Sequence, residues 1–408
     1  MKRMAKVFVL ILILSVSVSA QDGWVPQTSG TSNRLESVYF TDASTGWTVG
    51  ELGNILKTTN GGASWIPQTS GISGYLNSVY FIDANTGWAV GESGTILKTT
   101  NGGMNWNSQT SGASQWLSCV YFTDANTGWT IGSGGAILKT TDSGTNWISQ
   151  TSGTSDFLMS VYFIDTNTGW AVGSGGTIFK TSDGGTNWVP QASPTSGWLY
   201  SVYFIDANTG WAVGGGGAIL KTTDGGTNWI SQTSGTSNDL YSVYFTDSNT
   251  GWAVGGGGAI LKTTDGGTNW ILQTSGTSNS LYSAYFTNSN TGWTVGYGGT
   301  ILKTTTGGET SVEESQDSGI PKVFALNQNY PNPFNPSTTI RFQLPRASTV
   351  SLKVYDLLGK EIETLVNGQR AAGEYEIRWT AEGLPSGIYV YQLEAGDFVE
   401  TKKFILQK

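Results

Sequence analysis

The sequence is poor in the residues that most enzymes and metal sites use. Its 408 residues include no histidine, one cysteine (Cys119) and only 12% charged side chains. Without histidine, the chain can form neither Ser-His nor Cys-His nucleophilic systems, nor histidine metal sites. One cysteine excludes an internal disulfide, and we expect Cys119 to be a small packed residue because the sister copies carry serine there. These absences favour a protein that is not an enzyme and has no metal or other cofactor.

Basic residues are also scarce in the body of the chain. Residues 21–308 hold 16 acidic but only 8 basic side chains, and Arg34 is the only arginine among them. This charge excludes a nucleic-acid partner, whose phosphates require clustered cations. No apolar run after the N-terminus is long enough to cross a membrane, so we expect no transmembrane segment.

The first twenty residues have the pattern of a secretory signal peptide. Lys2, Arg3 and Lys6 precede a continuous apolar run, and Val18-Ser19-Ala20 forms a small-residue cleavage site. We therefore expect residues 1–20 to be removed on export and the mature protein to begin at residue 21.

Glycine (57) and tryptophan (17) are abundant, and the tryptophans recur at a fixed interval. Two series advance in steps of 41 residues: Trp47, Trp88, Trp129, Trp170, Trp211, Trp252 and Trp293, and Trp24, Trp65, Trp106, Trp147, Trp188, Trp229 and Trp270. Each copy contains four short β-rich segments separated by turns rich in Gly, Asp and Asn. Four strands in about 41 residues are typical of one blade of a β-propeller.

The ends of the repeat predict how the ring closes. The seventh copy lacks a fourth strand, whereas the chain begins with an isolated fourth strand, Trp24–Thr28. We expect this N-terminal strand to complete the seventh blade, because the pairing removes an open sheet edge. The fold class is thus all-β, with a seven-bladed propeller over residues 21–306.

The turn before the fourth strand carries a recurrent motif. It reads T-T-D-G-G-T-N-W at 222–229 and 263–270, with variants at 58–65, 99–106, 140–147 and 181–188. It resembles the Asp-box, or BNR repeat, and with G-W-A-V-G and I-L-K-T-T the copies look most like the photosystem II stability/assembly factor-like repeat family. We expect the box residue to accept backbone N–H groups within its own turn. These structural positions are Asn60, Asn101, Asp142, Asp183, Asp224 and Asp265.

Enzyme and calcium alternatives have weaker support. Sialidases also carry Asp-boxes, but they bind a sugar carboxylate with clustered arginines, which Arg34 alone cannot supply. A carboxylate-pair glycosidase remains an alternative, although almost all acids recur at equivalent repeat positions. The D-x-N-x-G strings resemble half of a calcium loop without its bidentate Glu, so we expect plain turns. A lysine that recurs once per copy, such as Lys57, is expected to pair with the repeat carboxylates.

Two positions vary between copies whose other residues are nearly invariant. The first precedes the first-strand leucine, and the second lies in the loop between strands two and three, where Glu51 and Glu92 occur. In a propeller both loops emerge on one face. We expect an aromatic arc there, edged by Glu51 and Glu92, that stacks on sugar rings or holds a peptide. Arg34, which occupies the first position in the first copy, is a further ligand-binding candidate. Its rings are Tyr75, Trp116, Phe157 and Trp198; the alternative is that they only cover the apolar ends of the blades.

The last hundred residues change character. Residues 307–326 read as an acidic linker, and five strands are predicted beyond it, at 340–344, 350–355, 375–379, 388–394 and 402–406. This pattern predicts a small immunoglobulin-like sandwich over residues 327–408. N-Y-P-N-P-F-N-P at 329–336, V-Y-D-L-L-G-K at 354–360, L-P-S-G-I-Y at 384–389 and the terminal K-K-F-I-L-Q-K resemble the type A sorting domain of the type IX secretion system.

The sorting resemblance sets the expected location and partners. It implies handling by the type IX secretion machinery, passage across both membranes of a Gram-negative bacterium, and a secreted or cell-surface product. The resulting hypothesis is an exported binding module for an extracellular glycan or protein. A structural or spacer propeller without a ligand is the alternative, followed by a glycan-active hydrolase.

Overall fold

The computed structural model describes residues 23–310, 321 and 323–407, which divide into two compact units. The predicted signal peptide and part of the predicted linker lie outside the described residues. The first unit consists of seven four-stranded antiparallel sheets, so the seven-bladed prediction is confirmed. The described residues include no helix with the length and hydropathy of a membrane span.

Each blade runs from an inner first strand to an outer fourth strand. The first strands contact those of both neighbouring blades and surround the central channel. They are β2 (Leu35–Phe40), β6 (Leu76–Phe81), β10 (Leu117–Phe122), β14 (Leu158–Phe163), β18 (Leu199–Phe204), β22 (Leu240–Phe245) and β26 (Leu281–Phe286). The second strands are β3 (Gly46–Gly50), β7 (Gly87–Gly91), β11 (Gly128–Gly132), β15 (Gly169–Gly173), β19 (Gly210–Gly214), β23 (Gly251–Gly255) and β27 (Gly292–Gly296).

A one-turn 3-10 helix follows every second strand and leads into the third. These turns are Glu51–Gly53, Glu92–Gly94, Ser133–Gly135, Ser174–Gly176, Gly215–Gly217, Gly256–Gly258 and Tyr297–Gly299. The third strands are β4 (Ile55–Thr58), β8 (Ile96–Thr99), β12 (Ile137–Thr140), β16 (Ile178–Thr181), β20 (Ile219–Thr222), β24 (Ile260–Thr263) and β28 (Ile301–Thr304). The fourth strands are β5 (Ile66–Gln68), β9 (Asn107–Gln109), β13 (Ile148–Ser149), β17 (Val189–Pro190), β21 (Ile230–Gln232) and β25 (Ile271–Gln273).

The seventh blade takes its fourth strand from the N-terminus. Strand β1 (Val25–Gln27) pairs antiparallel with β28, with Val25 opposite Lys303 and Gln27 opposite Ile301. Its tryptophan, Trp24, donates a hydrogen bond from Nε1 to Gln273 Oε1 at 2.9 Å, in the preceding blade. The predicted closure is confirmed.

Tryptophan and phenylalanine bind neighbouring blades together. Trp47 is fully buried and stacks on Phe81 of the next blade, with ring centroids 3.6 Å apart. Its indole Nε1 donates a hydrogen bond to the carbonyl of Gly102 in the next blade. Gly102 lies in the turn before the fourth strand that carries the Asp-box motif, which we call the box turn. The fourth-strand Trp65 meets Phe40 edge-on within its own blade. Because the stacked pair recurs around the ring, burial of large aromatic surface stabilises every blade junction.

The recurring lysine does not pair with carboxylates, so that prediction is wrong for most copies. Lys57 Nζ donates to the carbonyl oxygen of Gly102 at 2.7 Å and lies 5.0 Å from the ring centroid of Trp47. Lys262 is the exception, since it pairs with Glu309. The lysine binds a backbone carbonyl because the carbonyl of the box turn points toward the third strand of the preceding blade. The Asp side chain of the same turn already accepts hydrogen bonds within the turn.

The box side chain closes its own turn in the way expected. Asp224 Oδ1 accepts the N–H of Asn228 at 2.9 Å, and Oδ2 accepts the side-chain amide of the same residue at 2.7 Å. Asn60 accepts the N–H of Ser64 at 2.9 Å in an equivalent turn. Asp and Asn are interchangeable here because the turn needs only the acceptor oxygen.

We expect these turns to make the protein sensitive to acid. The backbone N–H of Asn228, followed by its side-chain amide, lowers the pKa of Asp224 below its ordinary 3.8, and Asp142, Asp183 and Asp265 are lowered in the same way. A lowered folded-state pKa stabilises the protein above the unfolded value, and this contribution is lost as pH falls through the folded value. We therefore expect the melting temperature, measured between pH 6 and pH 2, to decrease once the pH is lower than about 4.

The matched variant for that measurement replaces these four aspartates by asparagine. Asn60 and Asn101 show that asparagine forms the same turn without titrating. The variant should lose less of its melting temperature between pH 4 and pH 2 than the wild type does. Identical acid profiles would contradict the assignment.

The second unit is a sandwich of two antiparallel sheets. One has the order β29 (Ala325–Leu326), β30 (Ser337–Leu344), β33 (Gly373–Thr380), and the other has the order β32 (Glu361–Arg370), β31 (Ser348–Tyr355), β34 (Gly387–Ala395), β35 (Phe398–Leu406). Strand β32 was not predicted, because it is an edge strand with mostly polar and partly exposed residues. Ala325 and Leu326 were predicted to lie in the linker, whereas they pair with Gln343 and Phe342.

Candidate functional site

The residues at the channel mouth are positioned by a β-bulge in every first strand. We number the blades 1 to 7 in the chain order of their first strands. In blade 3, Leu117 pairs with Gly132 and Cys119 with Ile131, so Ser118 is an extra residue without a partner in the ladder. The same irregularity recurs in the other blades. A bulge re-aims one side chain out of the regular alternation. The bulge residues are Glu36, Asn77, Ser118, Met159, Tyr200, Tyr241 and Tyr282, and all of them line one cavity.

This cavity is the candidate site, with a volume of about 480 Å³. Besides the seven bulge residues, its lining contains Arg34, Tyr75, Glu92 and Trp116. Blades 5 to 7 place a tyrosine at the bulge, whereas blades 2 and 3 place Asn77 and Ser118 there. The cavity is therefore asymmetric, with a tyrosine wall on one side and, on the other, space next to the small residues of blades 2 and 3.

The tyrosine wall is a continuous series of ring contacts. Tyr200 lies 5.2 Å from Tyr241, and Tyr241 lies 5.3 Å from Tyr282, measured between centroids. Arg34 ends the series, with its guanidinium carbon 3.9 Å from the centroid of Tyr282. Burial, followed by the charge of Asp239, raises the pKa of Tyr200 and Tyr241, so both phenols stay neutral and able to donate hydrogen bonds at neutral pH.

The structure divides the predicted aromatic arc into two pairs. Tyr75 and Trp116 have centroids 5.8 Å apart and both line the cavity. Phe157 and Trp198 are 5.9 Å apart, and Trp198 also stacks on Tyr200 at 6.1 Å. Phe157 and Trp198 are not in the lining, and Trp198, which is 42% exposed, lies against the Tyr200 end of the tyrosine wall.

Side chains from the loop between strands two and three hold the backbone of the arc. Glu92 Oε2 accepts the N–H of Tyr75 at 3.1 Å, and Ser133 Oγ accepts the N–H of Trp116 at 3.1 Å. Gly132 must lack a side chain here, because a Cβ would collide with the carbonyl oxygen of Trp116. Glu51 accepts bonds from the Arg34 N–H and the Tyr75 hydroxyl but does not line the cavity, whereas Glu92 does.

Arg34 and Glu36 form an ion pair inside the mouth. Arg34 Nη2 lies 3.1 Å from Glu36 Oε2, and the Glu36 side chain is 12% exposed. Burial raises the pKa of Glu36 in spite of the opposing charge of Arg34. The charges of Arg34 and Glu36 therefore compensate each other within the protein.

The channel is narrowed by a ring of seven tyrosines, three residues after each bulge: Tyr39, Tyr80, Tyr121, Tyr162, Tyr203, Tyr244 and Tyr285. Neighbouring centroids are 4.8 to 5.1 Å apart, and the ring closes between Tyr285 and Tyr39. Burial raises the pKa of Tyr80 to about 12. Since three residues separate this ring from the cavity lining, the ring lies about 10 Å further along the channel.

Sequence reasoning missed the bulge residues. Their signal was available, because the position after the first-strand leucine varies among Glu, Asn, Ser, Met and Tyr, between an invariant leucine and a serine that is replaced in one copy only. Cys119 lies next to it, where six copies have serine. Those serines accept the N–H of the next blade, as Ser78 does from Val120 at 3.2 Å, whereas the Cys119 thiol lies 3.8 Å from the Val161 carbonyl and its pKa is raised by burial. A partly buried thiol that packs against its neighbours fits the predicted packing role.

Comparisons with known proteins agree with both units. The family model described as "Photosynthesis system II assembly factor YCF48" matches six overlapping segments spanning residues 16–305, and "Secretion system C-terminal sorting domain" matches residues 328–407. The latter marks the chain for the type IX secretion machinery. No curated protein matches the chain.

Solved structures show the same propeller. "YCF48 bound to D1 peptide" has 27% sequence identity and a TM-score of 0.61, covering 71% of this chain and all of its own. "YCF48 from Cyanidioschyzon merolae" has 24% identity and a TM-score of 0.60, covering 69% of this chain and 98% of its own. The WD40 propeller of Doa1, at 12% identity, shares only the fold. On the extent of the family match, the propeller chain belongs to the photosynthesis system II assembly factor YCF48 family and carries a C-terminal secretion sorting domain.

Proposed function

We propose that this protein is an exported binding module that holds an extracellular protein or glycan in the mouth cavity. The observation that carries the proposal is the asymmetric cavity itself, with aromatic faces on two sides and polar groups between them. Ligand sites combine such apolar faces with a few convergent polar side chains. The sorting domain supports a role outside the cell, either released or attached to the surface after the domain is removed.

The comparison favours a protein ligand over a glycan. A propeller of 27% identity was solved with a bound peptide, according to its description. The photosynthetic part of that family's role does not follow for this chain, because the sorting domain directs it to secretion. No catalytic step is part of this proposal: of the two carboxylates in the lining, Glu36 pairs with Arg34, and Glu92 accepts the Tyr75 N–H with one of its oxygens.

A structural propeller without a ligand is the second candidate. It is favoured by the use of Glu51, Glu92, Ser133 and Ser174 as acceptors for backbone N–H groups. On that view, the variable loop residues serve only to hold the blade ends, and the aromatic rings cover apolar surface.

A peptide and glycan array separates the two candidates. The purified full chain should bind a subset of spots, and Trp116→Ala should weaken that binding about tenfold, since a ring or cation stacked on Trp contributes about 1–2 kcal/mol. Trp198→Ala is the matched control outside the lining and should change binding less. A folded wild-type protein that binds nothing would support the structural role.

A further inference from the structure

The acidic residues of the propeller fall into two groups on opposite faces. Ten aspartates occupy equivalent turns, five in D-x-N-x-G strings, one in the related string D-A-S-T-G and four in box turns: Asp83, Asp124, Asp165, Asp206, Asp247, Asp42, Asp142, Asp183, Asp224 and Asp265. These turns follow the first and third strands. Because strands alternate in direction within each blade, both turns lie on the face opposite the mouth. The repeated acids therefore do not contribute to the mouth.

The acids that the repeat does not require lie on the mouth side. Glu36 and Glu92 line the cavity, and Glu51 binds the Arg34 N–H. Asp239 accepts the N–H of Gly216, and Asp156 accepts the hydroxyl of Thr177. Within residues 23–306, these five are all the acids outside the repeated turns.

The basic residues are distributed in the opposite way. Lysines such as Lys57, Lys139 and Lys221 reach the box turns of the next blade, on the far face. Arg34 is the only basic residue of residues 23–306 outside the lysine series. Five carboxylates thus face one guanidinium at the mouth, and Glu36 already compensates that guanidinium.

Arg34 shows how this mouth holds a cation. Its guanidinium lies over Tyr282 and pairs with Glu36, which combines an aromatic face with a carboxylate. Tyr75, Trp116 and Glu92 provide the same types of group in the lining, in the two blades that follow the blade of Arg34. In the described part of the chain, Glu92 has no ion-pair partner, and its Oε2 accepts only the Tyr75 N–H.

We infer that the mouth binds a basic protein segment, with an arginine or lysine side chain against Tyr75 and Trp116 and its charge directed to Glu92. The inference rests on the proposed function and specifies its ligand. Cations bind over Trp and Tyr faces, and a carboxylate beside them adds a charge-assisted hydrogen bond. The excess of acid also steers basic ligands to the mouth and repels acidic ones.

Fluorescence polarisation with defined peptides tests this ligand class. The probes are a fluorescein-labelled peptide of alternating glycine and arginine, the same peptide with glutamate, and a labelled chitosan oligosaccharide. The purified full chain should bind the arginine peptide, more weakly as salt rises, and the glutamate peptide at least about tenfold less tightly. Glu92→Gln should lower the affinity for the arginine peptide about tenfold, because the amide keeps the acceptor for the Tyr75 N–H but loses the negative charge.

The matched control removes one carboxylate from the other face. Asp206→Asn changes net charge by the same amount, and Asn288 in the seventh copy accepts the equivalent two N–H bonds, both at 2.9 Å. This variant should bind the arginine peptide as the wild type does. Equal weakening by both variants, or equal affinity for the arginine and glutamate peptides, would overturn the inference.

The remaining outcomes distinguish the inference from the proposed function. Binding of chitosan or of a neutral glycan in place of the arginine peptide, lost in Trp116→Ala, would keep the binding module and overturn the basic-segment ligand. A folded wild-type chain that binds none of the probes and nothing on the array would overturn both.

Discussion

Truncating Trp24 to alanine is expected to destabilise the propeller by about 3–5 kcal/mol, the usual cost of removing a buried tryptophan. Trp24 is 6% exposed, meets Phe286 edge-on at 5.8 Å and bonds to Gln273. It also anchors β1, whose three residues are the whole of the closing strand. The loss is measured as the free energy of unfolding from urea denaturation of the full chain.

A second effect is specific to the closing strand. When β1 detaches, the backbone groups of β28 become an open edge that can pair with another chain. Trp24→Ala should therefore form concentration-dependent oligomers, which size-exclusion chromatography with light scattering detects. Trp65→Ala is the matched control, because Trp65 has the same contact with Phe40 but belongs to a blade that is continuous in sequence. A Trp24→Ala protein that stays monomeric and loses less than about 1 kcal/mol would show that β1 is not needed for closure.

Replacing Ser118 by tyrosine should abolish ligand binding at the mouth. The equivalent bulge position is tyrosine in blades 5, 6 and 7, so the scaffold already accommodates that side chain. At Ser118 the ring would occupy the space beside Tyr75 and Trp116. We expect affinity for any ligand found on the array to fall at least about 100-fold, equivalent to about 2.8 kcal/mol.

The cost to folding should be smaller than the cost to binding. Ser118 Oγ donates its single hydrogen to the carbonyl of Leu158 at 2.6 Å, with the Ile131 carbonyl also within reach at 3.1 Å, and the lost hydrogen bond is worth about 1 kcal/mol. A thermal melt by circular dichroism verifies that the variant is folded. Ser231→Tyr, on the exposed outer strand β21, is the control for replacing a serine by a tyrosine away from the cavity. Unaltered binding by a folded Ser118→Tyr protein would place the ligand elsewhere on the propeller.

The first of these two features, the closing strand, could be predicted from the sequence, whereas the second, the cavity, could not. Closure by Trp24–Thr28 follows from register alone, because the fixed spacing of 41 residues shows which strand each end lacks. The cavity did not follow from spacing. The bulge that turns Ser118 and Tyr200 toward the channel is a departure from strand alternation, and a period-two reading assigns those side chains to the wrong face.

Other errors have similar causes. Lys57 has no carboxylate partner because the box turn of the next blade offers a carbonyl, a contact 45 residues away that no local pattern indicates. Strand β32 lacks hydrophobic alternation because it is a sheet edge, so its strand conformation depends on pairing with β31. Both cases involve partners that only folding brings together.

The sequence by itself determined the blade number, the four-stranded blade, the closing strand, the box turns and the C-terminal sandwich. These features are local or strictly periodic, so turn chemistry and tryptophan spacing specify them without knowledge of distant contacts. Only the tertiary structure decided which side chains share the mouth, that Phe157 and Trp198 are not in the cavity lining, and that the unrepeated acids lie on the same face as one arginine. Closing the ring brings seven non-identical positions, each 41 residues apart, to one axis, and their differences become a site only there.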